Sequence, residues 1–322
     1  MADQTKAPET AEAPKKKSKK PLIITILVVL LALAILITVG VKKHNKHKED
    51  YFCQYAKPFS IDEVEGGNEV VLVAHRGLSS EAPENTIPAY ELAAKKGFRF
   101  VECDIMTTKD KVWVVSHDYE LNRMTDYKGD LKIADMTLRE VQSYPITEGA
   151  NIKKYSKNGP VVTPTFEEWI SCCKENNLYP VIELKTQTKD EPYQEMLDIL
   201  KKYDMLKKAT IISFEKPALE AVRKLDKTIP MQWLDEEMSQ AAIDTAVKLG
   251  NCGLDIEYTS LAEHPDLCKK ADEMGLALNA WTVDTAEAAS SVVPLGLTYL
   301  TTNSAMPTKE EQSFVKGFLR SR

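Results

Sequence analysis

Two histidines and two carboxylates fall within one short stretch of this 322-residue sequence. His75 ends the apolar run VVLVA, and His117 ends the run VWVVS. Between them, Glu102 and Asp104 are two residues apart in FRFVECDIM, and side chains i and i+2 of a strand point to the same face. Histidine can remove or deliver a proton near neutral pH. Acid–base groups around a carboxylate pair indicate metal-assisted chemistry.

Glu183 adds a third carboxylate at the end of the apolar run YPVI. Three carboxylates at neighbouring strand ends are an oxygen set suited to Ca²⁺ or Mg²⁺, and without a cation each would raise the pKa of the others. One alternative is that Glu183 only forms a salt bridge with Lys185 at the rim. Another is that each histidine is a core residue bonded to backbone. The combination of both histidines with three carboxylates favours a reactive site.

These residues need a scaffold that brings separate strand ends together. Apolar runs alternate with amphipathic helical segments from position 68 to the end of the chain. Eight such strands in a chain of this size predict an α/β fold, a closed (β/α)₈ TIM barrel, with catalytic groups at the carboxyl ends of the strands. The predicted strands are 69–75, 99–105, 179–184, 209–213, 229–234, 252–258, 276–283 and 297–302.

One segment departs from the simple alternation. Residues 111–118 follow the second barrel strand after a turn too short for a parallel crossover, so they predict an antiparallel hairpin strand. Residues 119–164 then predict a mostly irregular insertion beside the barrel mouth, which is a candidate substrate lid. The folded domain is expected to span 68–322.

The N-terminal region predicts a membrane anchor. Residues 1–20, which end in KKKSKK, have too few apolar residues to fold and predict a disordered basic tail. Residues 21–41 predict one transmembrane helix, because the uncharged run from Leu22 to Val41 spans roughly 30 Å as a helix. A cleaved signal peptide is the alternative, although its apolar core is usually shorter. Residues 42–67 predict a polar linker.

Charge is distributed unevenly along the chain. Residues 1–48 hold ten lysines and three acidic residues, whereas the remainder holds 32 basic and 45 acidic residues. An acidic domain argues against nucleic-acid binding, which needs basic clusters. Basic residues flank the apolar run on both sides, and together with the short tail they favour a single-pass protein with a cytoplasmic N-terminus and an extracytoplasmic catalytic domain.

The six cysteines lack the spacing of a structural zinc site. Cys103, between Glu102 and Asp104, should point to the opposite face and pack against the helices. The spacing leaves open a disulfide, for example between Cys252 and Cys268.

Several motifs together resemble the signature of glycerophosphodiester phosphodiesterases. The motifs are H-R-G from position 75, then P-E-N-T, E-x-D, and H-D followed by L-x-R, and W-T-V-D at 281–284 is similar to the family's late W-T-V-N/D. The resemblance extends from about Val70 to Pro307. It implies His75 and His117 as general acid and base, Glu102, Asp104 and Glu183 as ligands of a divalent cation, Arg76 and Lys185 as phosphate contacts, and Trp281 as a pocket wall.

The sequence departs from this family's pattern at a few places. Lys111 stands where glycine is usual, and Met124 replaces a threonine. The late pattern G-x-D-G-I-x-T-D is degraded at 296–303, where the chain ends the motif with Thr302-Asn303. These changes bear on substrate choice and turn geometry and leave the implied acid, base and metal positions intact.

The sequence therefore predicts metal-dependent hydrolysis of small glycerophosphodiesters to sn-glycerol 3-phosphate and an alcohol. One alternative is a phospholipase-like phosphodiesterase or lyase that acts on a lysophospholipid or a glycerol-phosphate polymer, and cyclic phosphate products would distinguish it. The other is a non-catalytic cation-binding barrel, which loss of a histidine or a metal carboxylate would indicate. The sequence does not decide which histidine is the acid.

Overall fold

The computed structural model describes residues 56–185 and 190–321. No helix within these two ranges is long and apolar enough to cross a membrane. The predicted tail (1–20) and the predicted membrane helix (21–41) lie outside the described residues.

Eight parallel strands of the described chain close into a barrel, as predicted. Their order around the barrel is β2-β3-β5-β6-β7-β8-β9-β10, and β10 pairs again with β2. The strands of the described chain are β1 (Phe59–Ser60), β2 (Val71–Ala74), β3 (Phe100–Thr107), β4 (Trp113–Val115), β5 (Tyr179–Leu184), β6 (Thr210–Ser213), β7 (Met231–Asp235), β8 (Cys252–Glu257), β9 (Leu278–Trp281), β10 (Tyr299–Thr302) and β11 (Ala305–Met306).

Helices occupy most connections between the barrel strands and cover the outer face of the barrel. A capping box is present where Thr165 and Glu168 exchange hydrogen bonds at the start of the fourth helix. The α-helices are α1 (Ile87–Lys95), α2 (Leu138–Gln142), α3 (Ile152–Tyr155), α4 (Phe166–Glu175), α5 (Tyr193–Lys202), α6 (Lys216–Leu225), α7 (Gln240–Leu249), α8 (Tyr258–Glu263), α9 (Pro265–Glu273), α10 (Ala286–Val292) and α11 (Lys309–Ser321).

The barrel strands are buried on both faces, which explains their nearly continuous apolar runs. On β3 the side chains alternate between the two layers. Phe100 packs in the cluster that fills the barrel, whereas Val101 and Cys103 pack in the larger cluster that includes the surrounding helices. The expected position of Cys103 is confirmed. The same alternation directs Glu102 and Asp104 inward.

The segment after β3 folds back as predicted. β4 pairs antiparallel with β3, with Val115 opposite Ile105. The insertion 119–164 contains a few short helices and is otherwise irregular, as predicted. It shares a small apolar cluster with β3 and β4, made of Met106, Val114, Leu121, Tyr127, Ile133, Met136 and Val141. The insertion is therefore packed onto the hairpin.

The two chain ends of the described domain pack at different ends of the barrel. β1 pairs in parallel with β11, which follows β10 at the mouth, and Ile61 and Val64 are buried. The folded part thus begins before the predicted boundary at residue 68, because these apolar side chains need the barrel to cover them. At the other end, α11 places Val315 in the cluster that fills the barrel.

Among the described cysteines no disulfide forms. Cys252 and Cys268 are both free and buried, so the pairing that the spacing left open is not present. Burial raises the pKa of both thiols. We interpret them as packing residues.

Candidate active site

The structure brings the predicted site residues together at the carboxyl ends of the strands. His75 follows β2, Glu102 and Asp104 lie on β3, and Glu183 lies on β5. The three carboxylates offer oxygen atoms that all lie within 4.8 Å of one another. In the register of the two strands, Asp104 is aligned with Glu183. Parallel pairing of β3 with β5 therefore builds the acidic cluster.

Two oxygens of this cluster, Oε1 of Glu102 and Oδ1 of Asp104, are buried and accept no hydrogen bond from the described residues. Buried carboxylate oxygens normally have a partner. Lys185 lies beside the cluster, with Nζ 3.0 Å from Glu183 and 3.7 Å from Asp104. The salt bridge considered as an alternative is thus present, and it neutralises one part of a larger cluster. The donor set fits a hard divalent cation.

The three carboxyl groups have very different pKa values. Burial, and then the neighbouring charges of Asp104 and Glu183, raise the pKa of Glu102 well above its usual range. Burial also raises the pKa of Glu183 to about 7, although Lys185 opposes the shift. For Asp104, burial is outweighed by Arg76, His117 and Lys185, which hold its pKa well below its usual range. The cluster therefore concentrates negative charge on Asp104.

The H-R-G turn explains how the chain reaches the cluster. Arg76 and Gly77 both have left-handed backbones, with φ of 56° and 78°. A Cβ atom on Gly77 would lie 2.7 Å from Cβ of Ala89 on α1, so only glycine fits against this helix. The turn directs the backbone N–H of Arg76 at Oε2 of Glu102, over a distance of 2.9 Å.

The side chain of Arg76 is buried against acidic groups. Its Nη1 donates to Oε1 of Glu84 over 2.8 Å, and its Nε lies 3.3 Å from Oδ2 of Asp104. Burial tends to raise the pKa of Glu84, but Arg76 and Arg123 outweigh it and lower that pKa. The guanidinium is thereby fixed beside the carboxylate cluster, where an anionic substrate group would contact it.

His75 lies between the acidic cluster and the end of β10. Its Nε2 is 4.0 Å from Oε2 of Glu102, and its Nδ1 is 2.9 Å from Oδ1 of Asn303. Burial and the charge of Arg76 lower the pKa of His75 to about 3. The imidazole is therefore neutral at physiological pH in the metal-free protein.

Asn303 is itself held on several sides. Its backbone N–H and its Nδ2 donate to the two carboxylate oxygens of Asp284, over 2.7 and 2.6 Å. The hydroxyl of Ser79 lies 2.8 Å from Oδ1 of Asn303 and 2.8 Å from the carbonyl oxygen of His75. The amide of Asn303 thus has little freedom to rotate.

His117 has a different environment. Its Nδ1 is 2.7 Å from Oδ1 of Asp118, and Arg123 donates through Nε to Oδ2 of the same carboxylate over 2.5 Å. Arg123 also donates through both terminal nitrogens to Glu84, over 2.7 and 3.0 Å. Burial alone would raise the pKa of Asp118. The hydrogen bonds and charges of His117 and Arg123 outweigh burial and lower this pKa to about 2. Glu84 therefore joins the His117 side of the mouth to Arg76.

Aromatic side chains form one edge of the mouth. Trp281 ends β9 and donates from Nε1 to the carbonyl oxygen of Asp255 over 3.1 Å. Its ring meets Phe214 edge to face, with 5.5 Å between centroids, and Phe214 is 37% exposed. Across the site, the hydroxyl of Tyr119 donates to the carbonyl oxygen of Lys185 over 2.6 Å. The insertion thus contacts the barrel rim through a residue at its start.

Sequence reasoning missed several residues that hold the site in place. Glu84, Arg123 and Asp118 lie in the P-E-N-T, L-x-R and H-D motifs, which were the only signal for them. Thr86, not Asn85, is the N-cap of α1, and it makes no side-chain cap bond. Asn85 instead donates from Nδ2 to Asp104 over 2.7 Å, because its left-handed backbone turns it inward.

Comparison with known proteins agrees with this site. Residues 75–305, more than half of the chain, match the model of the glycerophosphoryl diester phosphodiesterase family. A glycerophosphodiester phosphodiesterase of Bacillus subtilis is 28% identical over 250 residues, which cover 73% of this chain and 84% of that protein. One from Caldanaerobacter subterraneus is 27% identical over 231 residues, covering 71% of this chain and 92% of that protein.

Solved structures share the fold. A phosphodiesterase of Oleispira antarctica, in complex with the product sn-glycerol-3-phosphate, has a TM-score of 0.66 at 24% identity, over 77% of this chain and 96% of that chain. A glycerophosphodiester phosphodiesterase of Parabacteroides distasonis has a TM-score of 0.62 at 24% identity, over 79% of this chain and 99% of that chain. This chain therefore belongs to the glycerophosphoryl diester phosphodiesterase family and is an enzyme of that family.

Proposed function

We propose that the enzyme hydrolyses small glycerophosphodiesters to sn-glycerol 3-phosphate and an alcohol, with metal-dependent histidine acid–base catalysis. The observation that carries the proposal is the convergence of His75, Arg76 and three carboxylates at one barrel mouth. The product named in the complex of the Oleispira relative agrees with this substrate class.

Glu102, Asp104 and Glu183 would hold the cation, and the two oxygens that accept no hydrogen bond from the described residues, Oε1 of Glu102 and Oδ1 of Asp104, fit a hard ion such as Ca²⁺ or Mg²⁺. When bound, such an ion supplies positive charge that stabilises the charge developing on the phosphoryl oxygens. It would also return the raised pKa values of Glu102 and Glu183 towards their usual range, because a cation favours the ionised carboxylate.

The protein's own residues perform the remaining steps. Arg76 and Lys185 bind the phosphodiester anion, Arg76 as a directional donor and Lys185 as a point charge. One of His75 and His117 removes a proton from the attacking water molecule, and the other delivers a proton to the leaving alkoxide. Trp281 forms an apolar wall beside the phosphate position. Nδ1 of His75 is hydrogen-bonded to Asn303, which places its Nε2 on the side of the carboxylate cluster.

The test is release of sn-glycerol 3-phosphate from glycerophosphocholine by the full chain purified in detergent. We expect release with Ca²⁺ or Mg²⁺, none with chelator, and a large loss in His75→Ala and His117→Ala. His264→Ala is the matched control, because His264 bonds to a backbone carbonyl at a helix end away from the cluster.

Two outcomes would replace this proposal. Cyclic phosphate products from a lysophospholipid, without release from glycerophosphocholine, would indicate a lyase. Binding of cation without turnover of any glycerophosphodiester, lysophospholipid or glycerol-phosphate polymer would indicate a non-catalytic barrel.

We further propose that residues 21–41 anchor the enzyme in a membrane, with residues 1–20 as a cytoplasmic tail, the chain between residue 42 and β1 as the linker and the catalytic domain on the extracytoplasmic side. The uncharged run Leu22–Val41 and the flanking lysines support this assignment. Extraction of membranes at alkaline pH should leave the full chain in the pellet, and deletion of 21–41 should release it. Protease added outside intact cells should then cleave the catalytic domain, and protection of that domain would reverse the proposed orientation.

A further inference from the structure

The ring orientation of His75 depends on a residue that does not touch it. Nδ1 of His75 contacts Oδ1 of Asn303, and Nδ2 of Asn303 contacts Oδ2 of Asp284, which is half-buried. An ionised carboxylate can only accept hydrogen bonds, whereas an amide has one accepting and one donating end. Asp284 therefore determines which end of the Asn303 amide faces the histidine.

This orientation selects the tautomer of His75. Since the NH₂ group of Asn303 must face Asp284, its carbonyl oxygen must face Nδ1 of His75. A carbonyl oxygen only accepts, so Nδ1 carries the proton and the neutral ring leaves Nε2 unprotonated. That Nε2 lies on the side of the acidic cluster, 4.0 Å from Glu102.

Ser79 does not determine the tautomer. Its hydroxyl has one proton and two neighbouring oxygens at 2.8 Å, on His75 and Asn303. It can satisfy either oxygen, and it would also accept a donor from Asn303 if the amide were reversed. The ordering of the amide thus rests on Asp284, which also accepts from the backbone N–H of Asn303.

The same arrangement can be read in the sequence. Here the strand ends with Thr302-Asn303, and Asp284 follows W-T-V. A carboxylate and an amide thus occupy the contacting pair, with the carboxylate at the position remote from the histidine.

The geometry points to Asp284 as a positioning residue that acts through Asn303 to hold His75 in the Nδ1–H tautomer. This inference rests on the proposed function, with His75 as the residue that removes the proton. Replacement of Asp284 by asparagine would place two amides in contact. Asn303 could then reverse, present its NH₂ to Nδ1 and move the ring proton to Nε2, which would block proton removal by that atom.

The test is a set of variants of the full chain, assayed with glycerophosphocholine at saturating Ca²⁺. We expect Asp284→Asn to lower kcat about 10-fold to 100-fold, a part of what general acid–base catalysis contributes, with KM changed less than about twofold. Asn303→Asp alone should lower kcat as well, because it places two carboxylates in contact. The exchanged pair, Asp284→Asn with Asn303→Asp, restores one carboxylate and one amide and should recover most of the lost kcat.

Asp226→Asn is the matched control. Asp226 is also half-buried and accepts hydrogen bonds from Thr228 and Ile229 in the turn before β7, at the other end of the barrel. It should leave kcat unchanged. Thermal unfolding and Ca²⁺ affinity by calorimetry, measured for every variant, separate a positioning effect from loss of the fold or of the cation.

The outcomes are distinct. A folded Asp284→Asn variant with kcat within twofold of the wild type overturns the inference, and so does a folded exchanged pair that recovers nothing. If the exchanged pair does not fold, the kcat of Asp284→Asn decides alone. If the wild type and His75→Ala had the same kcat, the proposed function itself would be wrong.

Discussion

The two histidines at the barrel mouth are held by different chemistry. Nδ1 of His75 contacts a neutral amide, Asn303, whereas Nδ1 of His117 contacts a carboxylate, Asp118. An amide orients the ring without adding charge, but a carboxylate also stabilises the protonated ring. Burial and the charge of Arg76 lower the pKa of both rings, and the hydrogen bond to Asp118 opposes this shift at His117. We expect His75 to act as the base and His117 as the acid.

The largest expected effect separates these two roles. His75→Ala and His117→Ala should each lower kcat about 100-fold to 10,000-fold on a substrate with an alkyl leaving alcohol. A p-nitrophenolate leaving group departs without a proton. With a p-nitrophenyl substrate, His117→Ala should therefore regain most of its lost kcat, whereas His75→Ala should not. Steady-state kinetics with both substrates is the measurement. Recovery in His75→Ala instead would reverse the assignment.

The next effect concerns the stability of the His117 side. In Arg123→Met, the carboxylates of Glu84 and Asp118 would lose the guanidinium that both of them contact. Two negative charges would then lie close together in a largely buried place. We expect the free energy of unfolding to fall by about 3 kcal/mol, measured by urea denaturation. Arg139→Met, an exposed residue on α2, is the control and should change little. If Arg123→Met lowered the free energy of unfolding no more than Arg139→Met does, the ion pairs of Arg123 would not stabilise the His117 side.

Cation binding should be common to both sides. Ca²⁺ at about 100 times its Kd should stabilise the wild type by about 2.7 kcal/mol, and it should stabilise His75→Ala and His117→Ala equally. Glu183→Gln removes one of the three carboxylates and should abolish most of this gain. Thermal unfolding with Ca²⁺ or chelator measures it. An equal gain in Glu183→Gln would place the cation elsewhere.

The smallest effect is the pH dependence that Asp118 contributes on the His117 side. Because the pKa of Asp118 is lowered to about 2, its ionised form stabilises the folded state above its ordinary value of 3.8, and this contribution is lost as pH falls towards 2. Between about pH 6 and pH 3 the stability difference between wild type and Asp118→Asn should shrink by about 1 kcal/mol. Urea denaturation across this range is the measurement, and a constant difference would contradict the lowered pKa.

Much of this site could be predicted because it follows from strand geometry. The i, i+2 rule places Glu102 and Asp104 on one face, and the barrel rule places His75 and Glu183 at the same end. Burial and register confirm that these carboxylates converge. Such predictions need only the period of a strand and the direction of the chain.

The supporting contacts could not be predicted in the same way. Arg123 contacts Glu84 across 39 positions, and Asn303 contacts His75 across 228. Pairs of this kind depend on rotamers and on the exact closure of the barrel. The inward turn of Asn85 could not be predicted for a local reason, since its positive φ of 54° is not visible in the sequence. Packing of the insertion likewise depends on contacts with Met106 on β3.

The pairing of β1 with β11 has a mechanical consequence. The backbone N–H of Phe59 donates to the carbonyl oxygen of Ser304, the residue next to Asn303. Tension on the chain before Phe59 would therefore load the end of β10 first, at the amide that orients His75. A pull at this end would reach the reaction centre before it disturbed the remainder of the barrel.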